Sequence, residues 1–236
     1  MSLWIRSAPR VLAGLLTLAA AAPPLALAQD APAVNDLQLW VQVVATVSLS
    51  DKWLTHIEAQ SRWSEDIHAH DQLIIRNALG RRLSRRVTIW GGHAWTPRTL
   101  ESGWAQEQRI WEQLSVTFPT AGAWTPSLRV RQEQRFLDSW GDNSHRLRIM
   151  GRAVRPIDAD KIWTFVAWNE IMFTLDETPN GPSQGLDQNR VFAGVLRKLS
   201  KNAGLESGYL WRTIDPTGND PRKNDHVLFA WLNLTF

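Results

Sequence analysis

From Leu37 onward the chain alternates. Leu37, Leu39, Val41, Val43, Ala45, Val47 and Leu49 fall on one parity, and Gln38, Trp40, Gln42, Thr46 and Ser48 on the other. Side chains on a strand change face at every residue, so this stretch is a strand with one apolar and one polar face. Trp53, Ile57, Ala59 and Trp63 oppose His56, Glu58, Gln60 and Arg62 in the same way, and Leu147, Ile149, Gly151 and Ala153 oppose Arg146, Arg148 and Arg152. The last residues repeat the pattern: Leu228, Ala230, Leu232, Leu234 and Phe236 share one face, and Val227, Phe229, Trp231, Asn233 and Thr235 the other. A helical period does not fit any of these runs.

The segments run approximately over 37–50, 53–64, 72–84, 86–98, 105–118, 124–137, 145–156, 161–175, 187–199, 203–214 and 226–236. Short links at Asp51-Lys52, Arg85, Thr120-Ala121-Gly122, Asp158-Ala159-Asp160 and Lys201-Asn202 alternate with longer ones near Glu65–Asp71, Thr99–Trp104, Asp138–Ser144, Asp176–Leu186 and Asp215–Asp225. Short turns at one rim and longer loops at the other are the layout of an outer-membrane barrel. A soluble β-sandwich also alternates, but its strands are shorter, commonly about 5–6 residues. The expected fold is an all-β, antiparallel transmembrane β-barrel of about 10–12 strands. Single-chain bacterial barrels normally have an even number, so twelve strands, one short and irregular, is the expectation.

The amino terminus reads as an export signal. Arg6 and Arg10 precede an apolar run from Val11 to Ala22, and Ala26-Leu27-Ala28 is a small-x-small cleavage site, giving a signal peptide at 1–28 and a barrel at 29–236. The run is short and broken by Pro23-Pro24, which disfavours a membrane anchor. Mean hydropathy of −0.27 does not count against a membrane barrel, because only alternate residues of its strands face lipid. The chain has no cysteine, which excludes disulfides and thiolate metal sites. Without Arg6 and Arg10 the formal charge falls from +3 to +1, so the pI of 9.7 gives no argument for nucleic acid.

There are 14 tryptophans and 1 tyrosine. Trp53, Trp124 and Trp163 follow short turns, and Trp63, Trp95 and Trp211 approach long loops, as expected for aromatic girdles at two membrane interfaces.

The terminal strand ending on Phe236 resembles the assembly signal of bacterial outer-membrane barrels, and implies the barrel-assembly machinery as a partner. A wider resemblance rests on Leu37-Gln38-Leu39-Trp40, Lys52-Trp53, Glu58 with Arg62, Arg129 to Phe136, Arg146-Leu147-Arg148, Asn169-Glu170 and Asn189-Arg190. These resemble the bacterial proteins grouped as family 2490 of the domains of unknown function. The resemblance implies an exported outer-membrane barrel, and brings no catalytic residue or ligand.

If the apolar faces meet lipid, the opposite faces fill the lumen. This places Arg62, Arg76, Arg129, Arg131, Arg135, Arg146, Arg148, Arg152, Arg190 and Arg212 inside, with Glu58, Glu107, Glu133, Glu170 and Glu206. Like charges on adjacent strands repel unless carboxylates, water or an anion lie between them. Two readings follow: an Arg–Glu network that braces and plugs a narrow barrel, or a positively biased passage for small anions. Trp40, Trp90, Trp111, Trp168 and Trp231 share the inner parity and either line a pocket or fill space.

A lipid-hydrolysing barrel is the enzymatic alternative, with His145 beside Ser144, and His93, as its candidates. No His-x-Ser pair or triad occurs, so the sequence reads as non-enzymatic. His68-Ala69-His70-Asp71 has the composition of a metal site, but its hydrophilic surroundings favour solvated side chains. No cofactor or metal is expected. The expected location is the bacterial outer membrane, reached by the general secretory route, with membrane lipid and a small anionic solute as partners.

Overall fold

The computed structural model describes residues 33–100, 103–137, 142–179, 181–215 and 221–236. The expected signal peptide at 1–28 and the loop residues Asn180 and 216–220 lie outside the described residues. Eleven strands form one closed barrel: β1 (Val34–Ser48), β2 (Trp53–Ser64), β3 (Ala69–Arg82), β4 (Val87–Leu100), β5 (Gly103–Thr117), β6 (Thr125–Phe136), β7 (Ser144–Pro156), β8 (Trp163–Thr174), β9 (Gly185–Lys198), β10 (Ala203–Ile214) and β11 (Lys223–Thr235).

Consecutive strands pair antiparallel, but the closing pair does not. β1 runs parallel to β11 through thirteen registered positions, from Val34 opposite Lys223 to Thr46 opposite Thr235. Each strand reverses the direction of the last, so in an odd-numbered barrel the first and last run the same way. The expectation of twelve strands is therefore corrected to eleven among the described residues, and an antiparallel ladder all round is corrected at this one seam.

The alternation sets inside from outside. Leu37, Val41, Val43, Ile57, Leu79, Ile89, Leu114, Ile149, Leu205 and Leu228 stand exposed on the outer wall. The inner parity is buried and largely polar, so the barrel carries its charges in its core. Aromatic and aliphatic side chains fill one inner sector, where Trp40, Val166, Phe192, Leu210, Val227 and Phe229 pack together. Glycines make room for the aromatics. Phe192 lies across the registered pair Gly194 and Gly208, and Trp111 lies over its partner Gly92.

Four of the five turns at the short-turn rim, all but the one after β5, share a local device. Leu49-Ser50, Leu83-Ser84 and Leu199-Ser200 each place an exposed leucine before a serine. The serine oxygen then accepts a backbone N–H of the turn or next strand, from Trp53 at 3.1 Å, Val87 at 3.1 Å and Asn202 at 3.1 Å. Asp158 does the same after Ile157, accepting from Trp163 at 2.7 Å and Ile162 at 3.0 Å. These oxygens satisfy N–H groups that the ladder leaves unpaired.

Two connections read as long are not. β2 and β3 are joined by the four residues 65–68, of which Glu65, Asp66 and Ile67 have positive φ (54°, 54° and 70°). β4 reaches Leu100 and β5 starts at Gly103, so the second connection has two residues. In both places the strands continue through segments whose polar composition reads as loop. The connections after β8 and β10 are the long ones, at ten and eight residues, and the link after β5, read as short, has seven residues (118–124), as many as the loop after β6 (137–143).

Candidate functional site

The lumen is built by register. Arg131 on β6 lies opposite Arg148 on β7, and Glu133 lies opposite Arg146. The repulsion expected between the two arginine-rich strands is relieved by carboxylates from both sides. Glu133 accepts from Arg146 at 2.6 Å and Arg148 at 2.8 Å, and lies 3.7 Å from Arg131. Glu170 on β8 receives Arg129 at 2.7 Å and Arg148 at 2.8 Å, with Arg190 at 3.6 Å. Arg148 thus bridges two buried carboxylates. Glu107 holds Arg109 at 2.8 Å and Arg135 at 2.6 Å. Glu58 pairs with Arg76, Arg212 with Asp225, and Glu206 on β10 reaches Arg152 on β7 at 2.7 Å.

Every arginine and glutamate expected in the lumen lies on the inner face. Arg129 and Arg152 are half-buried, and Glu58, Arg62, Arg76, Arg131, Glu133, Arg135, Arg146, Arg148, Glu170, Arg190, Glu206 and Arg212 are buried. Sequence reasoning missed Arg109, Asp187 and Asp225. Arg109 has the parity of Glu107 and Trp111, a signal that was present. Asp187 was not legible, because it is the extra residue of a bulge: Met172 pairs with Gln188 and Phe173 with Leu186. From that bulge its carboxylate reaches Arg146 at 3.2 Å. A second bulge at Asp71 on β3 likewise presents a carboxylate, 3.3 Å from Arg98.

Apart from the Asp71–Arg98 pair, the eleven arginines and seven carboxylates named above leave four more positive than negative charges among them, and Asp36, which accepts from Gln38 at 2.7 Å, adds one further carboxylate on the inner parity of β1. Arg62 pairs with no carboxylate among the described residues. It donates to Gln60 and Gln72 and lies 3.8 Å above the ring of Trp40. Arg212 and Arg190 approach the same ring at 5.0 and 5.1 Å, so guanidinium groups from three strands surround one buried indole. The quadrupole of the indole partly offsets their mutual repulsion.

Three cavities lie in series along the lumen. A vestibule of about 300 Å³ at the long-loop rim is lined by nine arginines and Glu107. A central chamber of about 290 Å³ carries all five inner tryptophans, Trp40, Trp90, Trp111, Trp168 and Trp231. Arg62, Arg76, Arg148 and Arg190 border both, and form the partition between them. A third cavity of about 490 Å³ at the short-turn rim includes Arg152, Lys161, Lys198 and Lys201, and shares Trp231 with the chamber.

Outside, Trp53, Trp95, Trp124, Trp163 and Trp211 are exposed and Trp63 is half-buried. Trp53, Trp124 and Trp163 at the short-turn rim lie beneath Arg81 (5.6 Å), Arg155 (5.9 Å) and Arg197 (5.4 Å). Phe236 is exposed, and its N–H donates to the carbonyl of Thr46 at 3.0 Å.

Ser144 and His145 are successive residues of β7 and face opposite ways, Ser144 fully buried and His145 outward. Both bind Asp176, His145 through Nδ1 at 2.5 Å and Ser144 through its hydroxyl at 3.3 Å. Burial pushes the Asp176 carboxyl up, but hydrogen bonds from the His145 amide and imidazole outweigh it and hold the group below its ordinary value. The cluster fastens the start of the β8–β9 loop to β7. His93 is engaged with Gln108 at 2.7 Å. His68 contacts the Glu65 carbonyl and His70 the Ser61 hydroxyl, so the residues of the His68–Asp71 run join separate contacts.

A closed barrel of eleven strands with a charged lumen, without a helix among the described residues, defines the class, that of porin-like β-barrels. The structure matches the NanC porin with a TM-score of 0.51 at 9% identity, covering 85% of this chain and 99% of that one. Residues 37–223 match the family described as "Protein of unknown function (DUF2490)", and the chain belongs to that family. An uncharacterized protein of Methylorubrum extorquens is 28% identical over 203 residues, covering 84% of this chain and 87% of the relative.

Proposed function

We propose that the protein is an exported outer-membrane barrel that passes or binds small anionic solutes, without enzymatic chemistry. The observation that carries the reading is the partition of Arg62, Arg76, Arg148 and Arg190 between vestibule and chamber. An ion moving along the lumen from vestibule to chamber meets this ring, and the excess positive charge around it attracts anions and repels cations. A wall that exposes aliphatic side chains on most strands suits a lipid surround, since soluble monomers rarely expose such large apolar patches. Tryptophans near both rims suit the two interfaces. Export by the general secretory route and assembly through the strand ending at Phe236 accord with that location.

The test is current through the refolded protein in a planar bilayer under a salt gradient. Discrete steps with an anion-selective reversal potential are expected. Arg62→Gln should shift that potential toward zero without unfolding the barrel, because Arg62 braces no carboxylate among the described residues. The buried Glu133 and Glu170 clusters favour a second reading, a plugged structural barrel. A folded barrel that carries no current would select it.

A further inference from the structure

The girdle tryptophans differ between the two rims. At the short-turn rim Trp53, Trp124 and Trp163 each carry a guanidinium over the ring, of Arg81, Arg155 and Arg197. Trp53 pairs in register with Arg81 and Trp163 with Arg197, while Arg155 pairs with Phe165, which packs edge-on against Trp124 at 5.9 Å. At the long-loop rim Trp63 packs on His70 and Trp95 donates to Gln106, and no girdle tryptophan there carries an arginine among the described residues. Arg81, Arg155 and Arg197 are exposed and form no ion pair among the described residues. Two positions beyond each arginine, at the turn itself, stands an exposed aliphatic side chain: Leu83 (56%), Ile157 (59%) and Leu199 (50%). Single exposed aliphatics are ordinary on a soluble surface, but the same step at three turns of one rim is not scatter. It extends the apolar surface past the arginines, so the guanidinium groups lie within a headgroup layer and not beyond it. The rim as a whole is basic. Its five turns, with two strand residues on either side, hold ten lysines and arginines against three aspartates. The opposite rim, counted in the same way over its described residues, holds six carboxylates against three cations.

We propose that the outer wall at the short-turn rim is a binding surface for anionic phospholipids, with Arg81, Arg155 and Arg197 clamping the headgroup phosphodiester. This rests on the outer-membrane reading above, and the leaflet concerned is the periplasmic one, where short turns lie. A guanidinium presents parallel N–H donors to two oxygens of a phosphodiester and stays charged. Turned into hydrocarbon the same group would be costly, so each arginine is directed to the headgroups. The indole beneath it holds the planar group by cation–π attraction and leaves its N–H edges to the ligand. A zwitterionic headgroup brings its own ammonium to the phosphate, whereas phosphatidylglycerol leaves that charge to the protein. Each cation close to an anionic lipid surface favours association by about fivefold. The lysines of the same rim are placed differently: Lys161, Lys198 and Lys201 line the third cavity, at the mouth of the lumen.

The test is electron spin resonance of the barrel in phosphatidylcholine vesicles carrying a trace of spin-labelled phosphatidylglycerol or phosphatidylcholine, which reports how strongly each lipid associates with the wall. Phosphatidylglycerol should be preferred about two- to fivefold, averaged over all wall positions. The preference should shrink in about 1 M salt, where the screening length is about 3 Å. In the triple variant Arg81→Gln, Arg155→Gln and Arg197→Gln the two lipids should associate equally. The triple variant Lys161→Gln, Lys198→Gln and Lys201→Gln removes the same charge from the same rim and should keep the preference. All six side chains are exposed, so both variants should fold as the unmodified chain does. Equal association of the two lipids with the unmodified barrel would overturn the inference, as would a preference indifferent to salt. A preference that survives the arginine variant, or is lost equally in the lysine variant, would overturn it too. A barrel that enters no bilayer would sink the outer-membrane reading itself, whereas entry without lipid preference sinks this inference alone.

Discussion

Glu133 has no exposed surface and meets three guanidinium groups, of Arg146, Arg148 and Arg131. Removing its charge leaves arginines facing one another in a medium that screens them poorly. Glu133→Gln should cost about 3–5 kcal/mol of stability, read as a fall in the urea midpoint of the detergent-folded barrel. Combining it with Arg131→Met should recover part of that loss, because among the described residues Glu133 is the carboxylate that Arg131 meets, whereas Arg146 and Arg148 keep Asp187 and Glu170. The Asp71–Arg98 pair is a control, since Arg98 is 45% exposed: Asp71→Asn should cost about 1 kcal/mol or less. At this scale the sequence was informative wherever parity held. Arg146, Arg148 and Arg152 could be assigned inward from Leu147, Ile149 and Gly151 alone. Which carboxylate each arginine finds was not legible, because Arg129–Glu170 and Arg152–Glu206 join strands that are not neighbours.

The strands and turns carry their own signals. The Leu-Ser steps at 49–50, 83–84 and 199–200 mark three turns, each with the same side-chain acceptor. Glycines are harder to read. An added Cβ at Gly208 would lie 2.4 Å from the Ala193 carbonyl and 2.6 Å from the Cα of Gly194, whereas at Gly91 or Gly151 it would meet nothing within 4 Å. Gly208→Ala should therefore destabilise by about 1–3 kcal/mol in a thermal melt, and Gly91→Ala should be close to neutral. The polar runs at Glu65–Asp71 and Thr99–Trp104 read as long loops, yet strands occupy three of the seven residues of the first and four of the six of the second. Composition reports exposure at a rim, and a strand that projects past the apolar zone is as exposed as a loop.

The β8–β9 loop has a dependence on acid. Asp176 sits below the ordinary aspartate value of 3.8, so its hydrogen bonds to His145 and Ser144 contribute fully above that pH. The contribution is lost as pH falls from 3.8 through the lowered folded value. Proteolysis of residues 175–184 should accelerate over that range. In Asp176→Asn it should already be faster at pH 7 and should not rise further below pH 4.

On the scale of the whole molecule, the closed barrel followed from alternation and turn spacing, and the strand number did not. Eleven strand-length segments could be counted, and the even-number rule argued for a twelfth. The rule holds for ladders that are antiparallel throughout, and one parallel pair removes it. That pair also sets where the barrel wall begins and ends. Val34 pairs at the long-loop rim, and Thr235 pairs at the short-turn rim, thirteen registered positions away. In an even-numbered barrel the corresponding residues share a rim, and a few residues would join them into a circle that could be cut open at another turn. Here such a join would have to travel the height of the wall, about 40 Å of strand at about 3.3 Å per residue. A chain reordered by linking β11 to β1 should close only with a linker of that reach, threaded through the lumen or laid along the outer wall, so this barrel resists circular permutation through its own architecture.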